Sequence, residues 1–159
     1  MKITKLVEYN VWANRLLTTQ IESLSPDLFV KDFGGSFGSM KATMIHVLQS
    51  DWLWLKRWKG IPLADLPDWK TETAKDINGI WKEVQDDMLT VSKKFEATPD
   101  APIEFVTRKG ARHTLAFQEI VFQVSHHGSY HRGQLANMIR TSGEKPVSTD
   151  YFLFTTQRG

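Results

Sequence analysis

The stretch FQEIVFQVSHHGSYHRGQLANMIR, residues 117–140, decides the fold. Phe117, Val121, Val124, Gly128, His131, Leu135 and Met138 alternate by four and three, the seam of a helix that faces a helical core. His131 falls in the middle of that seam. Gly128 stands directly before it on the seam, where a glycine costs about 1 kcal/mol against alanine but opens space for an imidazole. His127 lies one turn back on the same flank.

Outward from this stretch, the chain reads as three further helices and their connections. Upstream, Ile103–Thr107, a turn at Arg108–Ala111 and Arg112–Leu115 have the pattern of a small β-hairpin. The last helix is therefore expected from about Thr114 to about Gly143, before Pro146. A stripe of Ile77, Ile80, Trp81, Val84, Met88, Val91 and Phe95 predicts a helix from about Thr73 to Ala97, closed by Pro99 and Pro102. Ser39 is a plausible N-cap for another, reaching Trp58 or Lys59. It is apolar nearly all round, so it must be covered on more than one side, one of which a second subunit can supply. The first helix, Ile3 to about Leu24, carries Asn10 on an otherwise apolar stripe. Ser25-Pro26-Asp27 opens a short helical piece. The glycine-rich run Phe33–Gly38 lacks the lysine and spacing of a phosphate-binding loop and reads as a connector. The tail from Val147 to Gly159 is expected to pack back on the bundle. These elements predict an all-α protein: a four-helix bundle with long connections and a small β-hairpin before the last helix, one domain over 1–159.

Composition removes whole classes of function. With no cysteine, disulfides, thiol nucleophiles and thiolate metal sites are excluded. A net charge of +2 from well-mixed acids and bases leaves no basic stripe for nucleic acid. Charges begin too early at the N-terminus for a signal peptide, and no apolar run is long enough to span a membrane, so a cytoplasmic protein is expected.

His127 and His131, at i and i+4, can share one metal ion. The residues between them are Gly128-Ser129-Tyr130, so the glutamate of the His-Glu-x-x-His proteases is missing and that reading is discarded. The competing reading is a pair of core histidines hydrogen-bonded to neighbouring helices. An open metal site needs a third nitrogen, and His46 is the candidate because it stands inside the other histidine-bearing helix. His126 projects about 100° from His127, exposed or supporting the site from outside. His113 belongs to the hairpin surface. Gln123, four residues before His127, is either a ligand's hydrogen-bond partner or a surface glutamine.

Tyr9-Asn10-Val11-Trp12-Ala13-Asn14, His46 with Val47–Trp54, His126–Gln134 and Thr149-Asp150-Tyr151 together resemble, in the right order, the motifs of the DinB-like family, named for a DNA-damage-inducible bacterial protein. The resemblance implies a four-helix bundle holding a divalent metal by three histidines, here His46, His127 and His131, and a homodimer. Many members carry a further histidine where this chain has Gln123. Members act as thiol-dependent transferases or isomerases using low-molecular-weight thiols, or are described as metal-dependent hydrolases.

The expectation is thus a divalent-metal enzyme, of transferase or hydrolase type, acting on a small molecule and using zinc or nickel, with iron a further candidate. A low-molecular-weight thiol suits a chain that brings no sulfur nucleophile of its own. Tyr9, Asn10 and Trp12 are candidates to shape the pocket or simply to pack. The alternative is a stress-related metal- or ligand-binding protein without turnover; a coordination shell closed by Gln123 or a carboxylate would favour it.

Overall fold

A computed structural model describes residues 2–156. The elements are α1 (Ile3–Glu22), α2 (Pro26–Val30), α3 (Met40–Trp58), α4 (Ala74–Ser92), a 3₁₀ turn (Lys93–Phe95), β1 (Pro102–Val106), β2 (Arg112–Ala116), α5 (Phe117–Thr141) and α6 (Tyr151–Thr156). α1 and α3 each pack against both α4 and α5, so the four long helices close a ring around one core. Helices consecutive in sequence, α1 and α3, take opposite corners of that ring, which the long connection between them permits.

Local chemistry sets the helix ends. The Ser39 hydroxyl accepts the Ala42 N–H at 3.1 Å and starts α3 where expected. Ser39→Ala is expected to cost about 1 kcal/mol in urea unfolding, the usual loss for an N-cap. Thr73 and Asp76 form a reciprocal capping box at the start of α4. The expected continuation to Ala97 instead tightens into the 3₁₀ turn after Ser92. α5 begins at Phe117, three residues after Thr114, because Arg112–Ala116 is committed to the antiparallel ladder, with Phe105 opposite His113 and Ile103 opposite Leu115. The tail packs back as expected: α6 buries Phe154 against Tyr9 and Trp12 of α1, at 5.8 and 5.6 Å. The expected packing of residues 157–159 lies outside the described residues.

The aromatic excess of α3 finds its cover within the chain. Trp58 is buried edge-on against Phe117 at 5.0 Å. Trp54 meets Phe105 of the hairpin at 5.1 Å, and Trp52 meets Trp69 of the following loop at 5.9 Å. The hairpin and the loop after α3 thus cover part of this apolar surface, leaving Trp52 and Trp54 half-buried. Among the described residues, no helix is long and apolar enough to cross a membrane.

Candidate metal centre

α3 and α5 pack side by side and bring three imidazoles to one point. His127 Nε2 lies 3.0 Å from His46 Nε2 and 3.1 Å from His131 Nε2. Bonds of about 2.0–2.1 Å from nitrogen to one divalent ion span nitrogen pairs at such separations. The three are the only group of histidines, aspartates and glutamates among the described residues arranged to hold a metal ion. No carboxylate joins them.

Protonation favours the same reading. His131 Nδ1 lies 2.7 Å from Gln134 Oε1, an atom that only accepts, so Nδ1 carries the proton and Nε2 presents a lone pair to the centre. Burial holds His127 down to a pKa of about 4, with the neighbouring charges of His131 and His46 adding to the shift. Burial, then His131 and Arg108, lowers His46 as well. A cation at the common point of the three Nε2 atoms would take a lone pair from each imidazole.

The surroundings fix the rings in place. Phe37, from the loop between α2 and α3, stacks on His46 at 4.3 Å and meets His131 edge-on at 5.6 Å. Gly38, at φ +73°, turns the chain so that its carbonyl accepts the Phe33 N–H at 2.7 Å. This closes the glycine-rich loop over the centre. Between the loop and α5 lies a cleft of about 260 Å³, lined by Phe33, Phe37, Thr43, Gln134, Asn137 and Met138.

Behind the centre, on the α1 side of α5, sits a buried cation. Arg132 is 5 % exposed. It donates at 2.7 Å to both Asn10 Oδ1 and Asn14 Oδ1, and at 2.9 Å to Ser129 Oγ. A Cβ added at Gly128 would stand 2.4 Å from Asn10 Oδ1, so the missing side chain makes room for this amide–guanidinium pair. The sequence singled out Gly128 for space beside an imidazole; the occupant of that space is Asn10.

The other expected positions divide. Tyr9 donates to the Thr149 carbonyl at 3.0 Å, and the Arg132 guanidinium stands 5.5 Å from its ring, so it ties the tail to the back of α5. Trp12 packs on Phe154 and Tyr9, away from the histidines. Gln123 is exposed and makes no hydrogen bond to the three imidazoles. His126 is exposed and stacks on Phe122, while His113 is exposed and stacks on Phe105. Gln134 and Phe37 were not foreseen. The i+3 spacing of Gln134 from His131 was the available signal; for Phe37 the sequence held none.

The model of the DinB family matches residues 1–158. A protein of Bacillus subtilis (strain 168) described as Protein DinB is 28% identical over 166 residues, covering 96% of this chain and 94% of its own. The crystal structure of a DinB-like protein from Bacillus cereus ATCC 10987 superposes with a TM-score of 0.69 at 12% identity, over 90% of this chain and 94% of that one, which extends the likeness to the fold. The chain belongs to the DinB family.

Proposed function

We propose that this DinB family protein is a metal-dependent enzyme acting on a small molecule, with one divalent ion held by His46, His127 and His131. The observation that carries the reading is the convergence of three imidazoles, with His127 Nε2 about 3 Å from both of the other Nε2 atoms and, among the described residues, no carboxylate in the group. Three protein ligands leave room for water or substrate, as catalytic zinc sites do and structural ones do not. A divalent ion in this position supplies Lewis acidity, lowering the pKa of a bound water or thiol towards neutrality. The chain's own part is to keep His46 and His127 neutral, to fix His131 through Gln134 and to cover one side with Phe37. Thiol-dependent transfer or hydrolysis is the reaction type, on the strength of the family resemblance. Zinc and nickel suit three nitrogen ligands, and iron is the further candidate. The proposal includes a homodimer in the cytoplasm, for which the family resemblance is the support; sedimentation as a monomer at micromolar concentration removes the dimer.

The test is metal analysis of protein purified without an affinity tag. The expected result is one divalent ion per chain. Alanine at His46, His127 or His131 removes most of it, whereas alanine at His126 or His113 leaves it in place. Because each imidazole binds only when neutral, affinity falls with acidity, and the depressed pKa values of His127 and His46 carry that fall below the ordinary histidine range near 6.5. Unchanged metal content in all three ligand variants would make these ordinary core histidines and defeat the enzyme reading.

A further inference from the structure

Between Glu119 and Arg140, the solvent side of α5 carries no lysine, arginine, aspartate or glutamate. The one charged side chain in that interval, Arg132, is buried. By contrast, α4 exposes Lys75, Asp76, Lys82, Glu83, Asp86 and Asp87. In place of charge α5 presents rings. Phe122 is 45 % and Tyr130 64 % exposed, and His126, midway between them in sequence, stacks on Phe122 at 6.2 Å. Spaced by four residues, the three share one face of the helix. α1, α3 and β2 pack on α5 elsewhere, whereas Trp52 and Trp54 of α3 already have aromatic partners within the chain. A row of exposed rings on a helix face without charge marks an interaction surface.

The charges that bound this face choose its occupant. Glu119 and Arg140 are 21 residues apart, three heptads, or about 32 Å along the axis. Among the described residues neither forms an ion pair. Glu119 uses one carboxylate oxygen on the Ala116 N–H, at 3.2 Å. Glu144, the acid nearest to Arg140 in sequence, lies beyond the helix end and is not paired with it. A face that begins with an acid and ends with a base is complementary to itself when a second copy runs antiparallel. About a twofold axis between Ser129 and Tyr130, Glu119 of each chain meets Arg140 of the other, and Phe122 meets the uncharged Asn137. The rings then lie between the two end pairs, out of water. A parallel copy would set Glu119 against Glu119 and Arg140 against Arg140. A membrane surface would find a cation at one end and an acid at the other, not the basic face it rewards.

We propose that the outward face of α5 is the surface on which a second copy of this chain docks, antiparallel and twofold, with Glu119 paired to Arg140 at both ends. This rests on the homodimer proposed above and names its surface. It moves the contact from α3, the apolar helix that the sequence offered to a second subunit, to α5, and it does not depend on the metal.

Sedimentation equilibrium of the full chain at micromolar concentration is the measurement, and the wild type is expected to be dimeric. Phe122→Glu is the first variant, preferred to a change at Tyr130 because Tyr130 meets His131 edge-on at 5.1 Å. It places a charge in the seam twice per dimer and should raise the dissociation constant about a hundredfold, with the helical circular dichroism unchanged. Glu119→Arg and Arg140→Glu should each weaken self-association about three- to tenfold at low salt, since each creates two like-charge contacts. Mixing these two variants should restore the dimer, because every end pair in the mixed dimer is again of opposite sign. A wild type that sediments as a monomer removes the homodimer, and this inference with it. A wild-type dimer that is indifferent to Phe122→Glu overturns the α5 surface and leaves the homodimer standing. Weakening in both charge variants without recovery on mixing would overturn the antiparallel arrangement.

Discussion

Gly128→Ala is expected to destabilise the protein by about 2–4 kcal/mol, whereas Gly133→Ala, five residues along the same helix, should stabilise it by about 0.5–1 kcal/mol. Both glycines lie inside α5, where alanine is the better helix former. At Gly133 an added Cβ meets nothing within 4 Å and the residue is exposed, so propensity decides the sign. At Gly128 the Cβ would lie 2.4 Å from Asn10 Oδ1 and 2.9 Å from Arg132 Nη1. These two atoms are also hydrogen-bonded to each other at 2.7 Å in the interior. Neither can retreat without leaving a buried cation short of an acceptor, and a hydrogen bond to a charged group is worth about 1.5–3 kcal/mol. Overpacking adds about 1–3 kcal/mol, against about 1 kcal/mol gained in helix propensity. Urea unfolding of both variants measures the contrast. In the double variant Asn10→Ala/Gly128→Ala the costs should fall short of additivity, because the clash and the hydrogen bond share one partner. A Gly128→Ala protein as stable as the wild type would mean that α1 and α5 separate easily here, and that Arg132 does not need Asn10.

This contrast marks the boundary of what residues 117–140 disclose by themselves. Periodicity places His131 and Gly128 on the buried face of α5 because burial repeats with the helical turn, and both are buried. It says nothing of Arg132, one residue off the seam and just as buried, since its partners Asn10 and Asn14 come from a helix more than a hundred residues away. Asn10 does stand out as a polar residue on an apolar stripe, but what it meets is a matter of tertiary packing. The three histidines were legible through spacing on α5 and, for His46, through the family resemblance. Phe37 lies in a loop whose path depends on positive-φ glycines and on the closure at Gly38, which leave no periodic trace. The start of α5 was misplaced for a related reason: Arg112–Ala116 can continue a helix or a strand, and pairing with Pro102–Val106 decides it.

Asp51→Asn should change how stability depends on pH by an amount on the order of 4 kcal/mol. Asp51 is 1 % exposed, on α3 where that helix faces α4. Oδ2 accepts the Trp81 indole N–H at 2.8 Å, while Oδ1 has no hydrogen-bond partner. Burial pushes this carboxyl up to about 7, opposed by the Trp81 hydrogen bond and the Arg132 charge. The folded protein therefore keeps a proton that the unfolded chain releases near pH 4. Between about pH 4 and pH 7 this group's contribution to stability falls as pH rises, and above pH 7 the full cost of a buried carboxylate is present. His127 and His46 act in the opposite sense: their pKa values are lowered on folding, so their contribution is lost as pH falls below about 6.5. Both variants carry those histidines, and the difference between wild type and Asp51→Asn isolates the carboxyl. Urea unfolding of chelator-treated protein at pH 5 and pH 8 is the measurement. At pH 8 the asparagine variant should be the more stable, because it keeps an acceptor for Trp81 without a charge to bury. At pH 5, where the folded carboxyl still holds its proton but the unfolded chain has already released it, that advantage should be smaller by roughly 2–3 kcal/mol. Parallel profiles across that range would mean that Asp51 is ionised throughout, its charge balanced by Arg132 across the bundle core.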